Sequence, residues 1–303
     1  MRKTNRLLGF LKRLYAKISP RFFLESRFAE RFQEKLDLSR SESLGGFNQK
    51  ILWLILACRD PLVAACADKY RVRGYVESVG LKHILAKLYG VYRVASEIDW
   101  DVLPQKFAIK CNHGCGYNII CANKDALDTK EASAKLNMWL REDFGRKFYE
   151  PQYSKIKPLI VCEEYMETEA GLLPVDYKVY CFNGVPKAVL YCFERQSGLR
   201  LEWYDTEWNP LEVGLIPNGR HAGKPACLDE MLEYAARLAM PFLFVRVDFY
   251  VKDGRPFFGE MTFTPAYGMA EYYSPEGNAY LGSLLKLPPK GMRLKNVTTY
   301  LNK

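Results

Sequence analysis

The sequence lacks any run of about 18 apolar residues, so no membrane-spanning helix is expected. No secretory leader is expected, because lysines interrupt the first apolar stretch. Nothing repeats, and no tract is of low complexity. No acid precedes Glu25. Its nine cysteines are an odd number, scattered singly; Cys111 and Cys115 stand four apart, but no second pair follows at zinc-ligand spacing. Free buried thiols in a reducing cytoplasm are therefore expected. What is present is ordinary for a globular chain: 49% hydrophobic, 26% charged and 14% aromatic over 303 residues. That length suits one large domain or two modest ones, and needs no disulfide or metal staple.

The net charge of +9 is partly local. Arg2, Lys3, Arg6, Lys12, Arg13, Lys17 and Arg21 come before the first acid. Leu7, Leu11, Leu14 and Ile18 would share one helical face among them. Residues 1–21 thus read as a basic amphipathic stretch. It could rest on an anionic membrane surface or cap the core with a solvated basic face. A nucleic-acid module ranks last, since the charge gathers at one end instead of along an aromatic-lined groove.

Residues 1 to about 60 read as helical, most clearly over 47–58, with a Ser/Gly-rich loop over 39–46. Pro61 opens a further helical stretch over 62–70. From Lys106 short β-rich runs take over: 107–110, 117–121 and the compact apolar run 159–163. Two hairpins stand out, 177–182 with 186–193 around Asn183-Gly184, and 245–251 with 256–261 around Asp253-Gly254. Both turns need positive φ at their two central positions, which Asn-Gly and Asp-Gly supply. Helices are expected over 131–144 and 228–240. Hairpins alternating with helices predict an α+β fold.

Four segments carry candidate chemistry. Alternation in the last hairpin turns Arg246, Asp248 and Tyr250 to one side, and Glu260 and Thr262 together on the return strand. Asp248 and Glu260 side by side would repel unless a cation bridged them. Magnesium suits such hard oxygens and shares them with nucleotide phosphates, while Arg246 offers a fork for a phosphoryl group or carboxylate. An ordinary solvated Asp and Glu is the plain alternative. Second, Lys110-Cys-Asn-His113-Gly114-Cys-Gly116 between two strands can bring backbone N–H groups and a lysine to phosphates. No Gly-Lys-Ser/Thr follows, so it is not a Walker A loop. His113 alone is more often a hydrogen-bonded loop residue than a base. Third, Glu163-Glu164-Tyr165-Met166 ends a strand that could offer backbone groups to an adenine edge, or could be a buried strand with two exposed acids. Fourth, Lys69, Arg71 and Arg73 suit phosphate or a carboxylated substrate, and equally a solvated helix face.

Taken in order, from about Phe47 to Gly268, these segments resemble the ATP-grasp superfamily, and most of all the TupA-like ATP-grasp family linked to bacterial surface polysaccharide biosynthesis. The resemblance rests on Asp68-Lys-Tyr-Arg-Val-Arg73, Ile109-Lys-Cys-Asn-His-Gly114, Asp176-Tyr-Lys-Val-Tyr-Cys-Phe-Asn-Gly184, Val245-Arg-Val-Asp-Phe-Tyr250 and Phe258-Gly-Glu-Met-Thr-Phe-Thr-Pro265. It implies two α+β lobes holding ATP between them. Lys69 and Lys110 would hold the α- and β-phosphates, and His113 to Gly116 would close over them. Glu163 to Met166 would be the adenine hinge, read by backbone groups of Glu164 and Met166. Asp176 and Lys178 would face ribose and phosphates. Asp248 and Glu260 would bind Mg2+, with Thr262 where the family often has asparagine. Arg246 would stabilise the transferred phosphoryl group, and Lys178 and His113 join it as catalytic candidates.

The resulting expectation is a helical N-terminal region over 1–66, a catalytic domain over 67–290 and a tail over 291–303. The enzyme would phosphorylate a carboxylate with ATP and join it to an amine, on a surface polysaccharide or its precursor. It would work in the cytoplasm, with a peripheral contact to anionic membrane through residues 1–21. An ATP-grasp kinase acting on a hydroxyl, or a glycosyltransferase of the same pathway, are the alternative readings.

Overall fold

The computed structural model describes residues 18–167, 174–193, 198–219 and 222–288. Most of the basic stretch and the expected tail therefore lie outside the described residues. No described helix is long and apolar enough to cross a membrane.

The chain begins with α1 (Pro20–Phe32) and α2 (Phe47–Ala57). Asp60 then caps α3 (Pro61–Ala67) by accepting from the Leu62 amide. This helix is shorter than the 62–70 stretch expected: Asp68 turns the chain and accepts from the amides of Tyr70 and Arg71, and α4 (Val72–Ser78) follows. Next come β1 (Leu88–Tyr92), β2 (Phe107–Cys111) and β3 (Asn118–Cys121). The helix expected over 131–144 divides. Asp128 caps α5 (Thr129–Leu140), and Asp143 restarts the chain as α6 (Phe144–Phe148) by accepting from the Arg146 amide. Then β4 (Ile160–Glu164) completes an antiparallel sheet in the order β1-β4-β2-β3.

The hairpin β5 (Asp176–Phe182) and β6 (Val185–Phe193) leads to β7 (Arg200–Tyr204). After α7 (Leu228–Ala239) comes the hairpin β8 (Phe244–Lys252) and β9 (Arg255–Thr262), and α8 (Pro275–Leu284) ends the described core. The second sheet is antiparallel in the order β7-β6-β5-β8-β9. Both hairpin turns have the positive φ their residues demand: Asn183 at 49° with Gly184 at 82°, and Asp253 at 52° with Gly254 at 72°. The fold is α+β, as the alternation of hairpins and helices predicts.

Burial of the second sheet decides where a site can form. Val179, Val245, Val247 and Phe249 face α7 in one apolar core. On the other face, Tyr180, Phe182 and Phe244 meet Phe47 of α2, with ring centroids 4.9 to 6.1 Å apart. This contact packs α2 directly against the second sheet. Beyond that contact the same face continues as Asp176, Lys178, Arg246 and Asp248. Eight of the nine cysteines are buried or half-buried, and all are free; Cys115 is exposed.

Candidate active site

The β8–β9 ladder sets Asp248 directly opposite Glu260, and β5 sets Lys178 opposite Asp248. Simple alternation does not explain the first pairing by itself. A bulge follows Asp248: Phe249 pairs with Phe258, leaving Gly259 as the extra residue. The bulge sends Phe258 into the core while Glu260 turns to the charged face. A Cβ on Gly259 would sit 3.0 Å from the Asp248 carbonyl oxygen, so a side chain there would push the strands apart.

Around these acids the charges interlock. Arg246 donates to both Asp248 oxygens, at 2.7 and 2.6 Å, and to Thr262 Oγ1 at 3.1 Å. Lys178 donates to Asp248 at 2.6 Å and also to Asp176. Thr262 donates to Glu260 at 3.3 Å. Lys69 Nζ donates to the Gly114 carbonyl at 2.6 Å and lies 3.6 Å from Glu260. Burial alone would raise the Glu260 carboxyl, but Lys69, Arg246, Lys178 and Lys110 together draw it down to about 2. Burial opposes the charge on Lys178, yet Asp248 and Asp176 together outweigh it and lift the ammonium above its usual range.

The first sheet supplies the opposing wall. Lys110 donates to Glu163, and Arg73 lies 4.0 Å from the same carboxylate. Burial disfavours the Lys110 charge, but Glu163, Tyr250 and Glu260 raise its pKa. The contribution of the last two means that the charged faces of both sheets share one cleft. Lys252 at 3.5 Å from Glu164 joins the sheets at its end.

Asn112 holds Lys69 in reach. Fully buried, it donates to Asp68 and the Lys157 carbonyl, and accepts from the Leu159 amide at 2.7 Å. The Lys69 amide in turn donates to the Asn112 carbonyl. Its signal in the sequence was only position, next to the lysine and glycines of the loop.

Thus the structure brings Lys69, Lys110, Asp176, Lys178, Arg246, Asp248, Glu260 and Thr262 together, with Gly114 reached through its carbonyl. His113 is turned away. The residue is 2% exposed, and Nε2 donates to the carbonyls of Trp139, in the last turn of α5, and Glu142, just beyond it. Burial lowers its pKa, keeping it neutral. The side chain therefore secures the loop to the end of α5 instead of reaching the cleft, while Cys115 in the same loop is exposed and within electrostatic reach of Glu260, Lys69 and Arg246; Gly116 there has φ 75°. Glu163 and Glu164 end β4, and Tyr165 and Met166 follow it. The Glu164 amide, expected to read a base, donates to the Lys87 carbonyl at 2.8 Å and belongs to the β1–β4 ladder.

Three further residues escaped sequence reasoning. Glu150, 4% exposed, accepts from Thr264, which also accepts from Gln152 at 2.8 Å. Burial raises the Glu150 carboxyl to about 8. Asp99 and Asp101 form an Asp-x-Asp pair, the spacing a glycosyltransferase reading would want. Both are exposed, and Asp99 accepts from the Asp101 amide at 3.1 Å in a local turn.

A pair of carboxylates and a hydroxyl on one face, ringed by four cations, fits a divalent ion carried in by phosphates. Among the described residues no three His, Cys, Asp or Glu side chains gather to hold an ion unaided, so phosphate oxygens would have to complete its shell.

Two antiparallel sheets with facing charged surfaces, one bearing this carboxylate ladder, define an ATP-grasp protein. Residues 49–286 match the family described as TupA-like ATPgrasp, and the chain belongs to that family. Solved structures with which it shares similarity include D-alanine–D-alanine ligase from Bacillus anthracis, at 16% identity and TM-score 0.43, covering 79% of this chain and 66% of that one. The same ligase complexed with ATP matches at 16% identity and TM-score 0.44, covering 86% and 74%. N5-carboxyaminoimidazole synthase from Aspergillus clavatus matches at 13% identity and TM-score 0.43, covering 77% and 55%. The chain thus spans just under two thirds of the first of these structures. No curated protein matches it.

Proposed function

We propose that the chain is an ATP-dependent ligase that activates a carboxylate as an acyl phosphate and joins it to an amine, modifying a surface polysaccharide or its precursor. The observation that carries this reading is the Asp248–Glu260 pair, set in register and ringed by Lys69, Lys110, Lys178 and Arg246. Such a ring is built for a polyanion, and the two acids for its accompanying cation.

Lys69 and Lys110 hold the α- and β-phosphates, and the backbone of His113 to Gly116 covers them. Glu163 to Met166 flank the adenine, with Met166 supplying backbone contacts. Asp176 and Lys178 face the ribose and phosphates. Asp248, Glu260 and Thr262 would hold magnesium, which would supply neutralisation of phosphate charge. Arg246 donates to the γ-phosphoryl oxygens. A substrate carboxylate oxygen attacks the γ-phosphorus, the bond to the bridging oxygen breaks and ADP leaves. An amine then attacks the acyl carbon, phosphate departs, and the amine's proton passes to water. The chain's contribution is alignment and fixed positive charge.

The test is an ATPase screen with candidate uronic acids and amino acids, with hydroxylamine present to trap an acyl phosphate. Hydroxamate formed with ADP and phosphate supports the ligase. ADP formed with a phosphorylated product and no hydroxamate would make the enzyme a kinase. Asp248→Asn and Glu260→Gln should each abolish ATP consumption in a folded protein; unchanged turnover in either refutes the site.

A further inference from the structure

A groove of about 900 Å³, none of whose lining residues is one of the carboxylates, lies between α1, the end of α2 and residues 145–154, with Met269 also lining it. Its walls are largely apolar, including Phe23, Leu56, Tyr149 and Met269; the rings of Phe23 and Tyr149 lie 5.0 Å apart. Arg27, Arg31, Arg59, Arg146 and Lys147 also line it, against one described acid, Glu30. Glu271 holds Arg31, Asp143 lies 3.5 Å from Arg146, and Glu142 lies 2.7 Å from Lys147. Arg27 lies over the Phe23 ring at 5.7 Å, and Arg59 donates to the carbonyls of Ile55 and Cys58. Neither makes an ion pair among the described residues.

One wall of the groove is continuous in sequence with a residue bonded near the reacting centre. Residues 145–154 include Glu150, bonded to Thr264, two residues beyond Thr262. Met269 ends the tight turn that follows, where Ala266, Tyr267 and Gly268 all have positive φ.

We propose that this groove binds the body of the substrate, an anionic amphiphile with acidic groups on an apolar frame. The walls withdraw the frame from water, the arginines and lysine meet its charges, and the volume is that of a ligand pocket. A membrane surface would prefer a convex basic face, whereas this face is concave. The link to chemistry rests on the reaction proposed above; the binding does not.

The test is calorimetric titration of the full chain with decyl phosphate below its micelle concentration. Decyl maltoside, inorganic phosphate and anionic vesicles serve as comparisons, and Mg-ADP is titrated separately. Saturable one-to-one binding of decyl phosphate is expected, weakening as salt is raised. In the Arg27→Glu/Arg59→Glu protein it should fall by about tenfold or more. Arg59→Glu alone, on an exposed side chain, guards against misfolding of the double variant and should weaken binding in the same direction. Equal binding of decyl maltoside, equal binding of bare phosphate, binding to vesicles only, or unchanged affinity in both variants overturns the proposal. So does binding that appears only after residues 1–17 are deleted, which would assign the groove to the chain's own N-terminal segment. Failure of Mg-ADP to bind would sink the nucleotide reading while leaving the groove result standing.

Discussion

Lys178 Nζ stands 2.6 Å from Asp248 Oδ2, its partner across the β5–β8 ladder, and the same nitrogen also reaches Asp176. The ammonium and the Arg246 guanidinium neutralise the acids where a nucleotide's ion is expected, so the cleft can hold its carboxylates buried before any ligand arrives. Removing one cation from such a cluster leaves charge uncompensated in a dry setting.

Lys178→Met should therefore cost about 3 kcal/mol of stability, with Arg246 keeping the loss from being larger. Urea unfolding measures it. Mg-ADP affinity should fall in the same protein, and an unchanged midpoint would mean that Arg246 alone balances Asp248.

Gly259→Ala tests the bulge. The added Cβ would meet the Asp248 carbonyl at 3.0 Å and a Tyr250 ring carbon at 3.2 Å. About 1–2 kcal/mol of destabilisation is expected from overpacking, together with weaker Mg-ADP binding because Glu260 shifts off Asp248. Normal nucleotide affinity in a destabilised protein would separate the bulge from the site.

Glu150 makes stability depend on pH. Its folded carboxyl titrates at about 8, against 4.5 unperturbed. Between those values the folded state keeps a proton that the unfolded state releases. This contribution is complete below about 4.5 and is lost as pH rises toward 8, at up to about 1.4 kcal/mol per unit. Glu150→Gln should flatten the unfolding free energy over that window. Glu260 acts oppositely: drawn down to about 2, it contributes stability above pH 4.5 that disappears as pH falls toward 2.

Asn112→Ala should strand the Leu159 amide and the Lys157 carbonyl at once, and leave Asp68 one donor short. About 3 kcal/mol of destabilisation is expected from unmet buried groups, with loss of ATP turnover as Lys69 loosens. Chemical denaturation and a phosphate-release assay read the two effects separately.

Much of this was legible because it is local. The Asn183-Gly184 and Asp253-Gly254 turns announce their hairpins through positive φ, and alternation along β8 puts Arg246 beside Asp248. Strand β1 was invisible: Leu88–Tyr92 is half-buried throughout and has no turn dipeptide beside it, so only its pairing with β4 makes it a strand. Likewise β7 depends on β6. The break between α5 and α6 was missed because the apolar spacing runs on past it, while Asp143 ends one helix and caps the next.

By itself the sequence determined the α+β pattern, the two tight hairpins and the residues able to grip a polyanion with its cation, since these follow from φ preference, strand alternation and ionic chemistry. Only the tertiary structure decided how they are used. The bulge at Gly259 turned Glu260 toward Asp248. The carbonyls ending α5 drew His113 inward. The pairing of β2 with β4 set Lys110 against Glu163, the meeting of the two sheets brought Lys252 to Glu164, and the packing of α1 and α2 with residues 145–154 left an arginine-lined groove. Each depends on which distant surface packs against which, and no local rule of chain geometry contains that information.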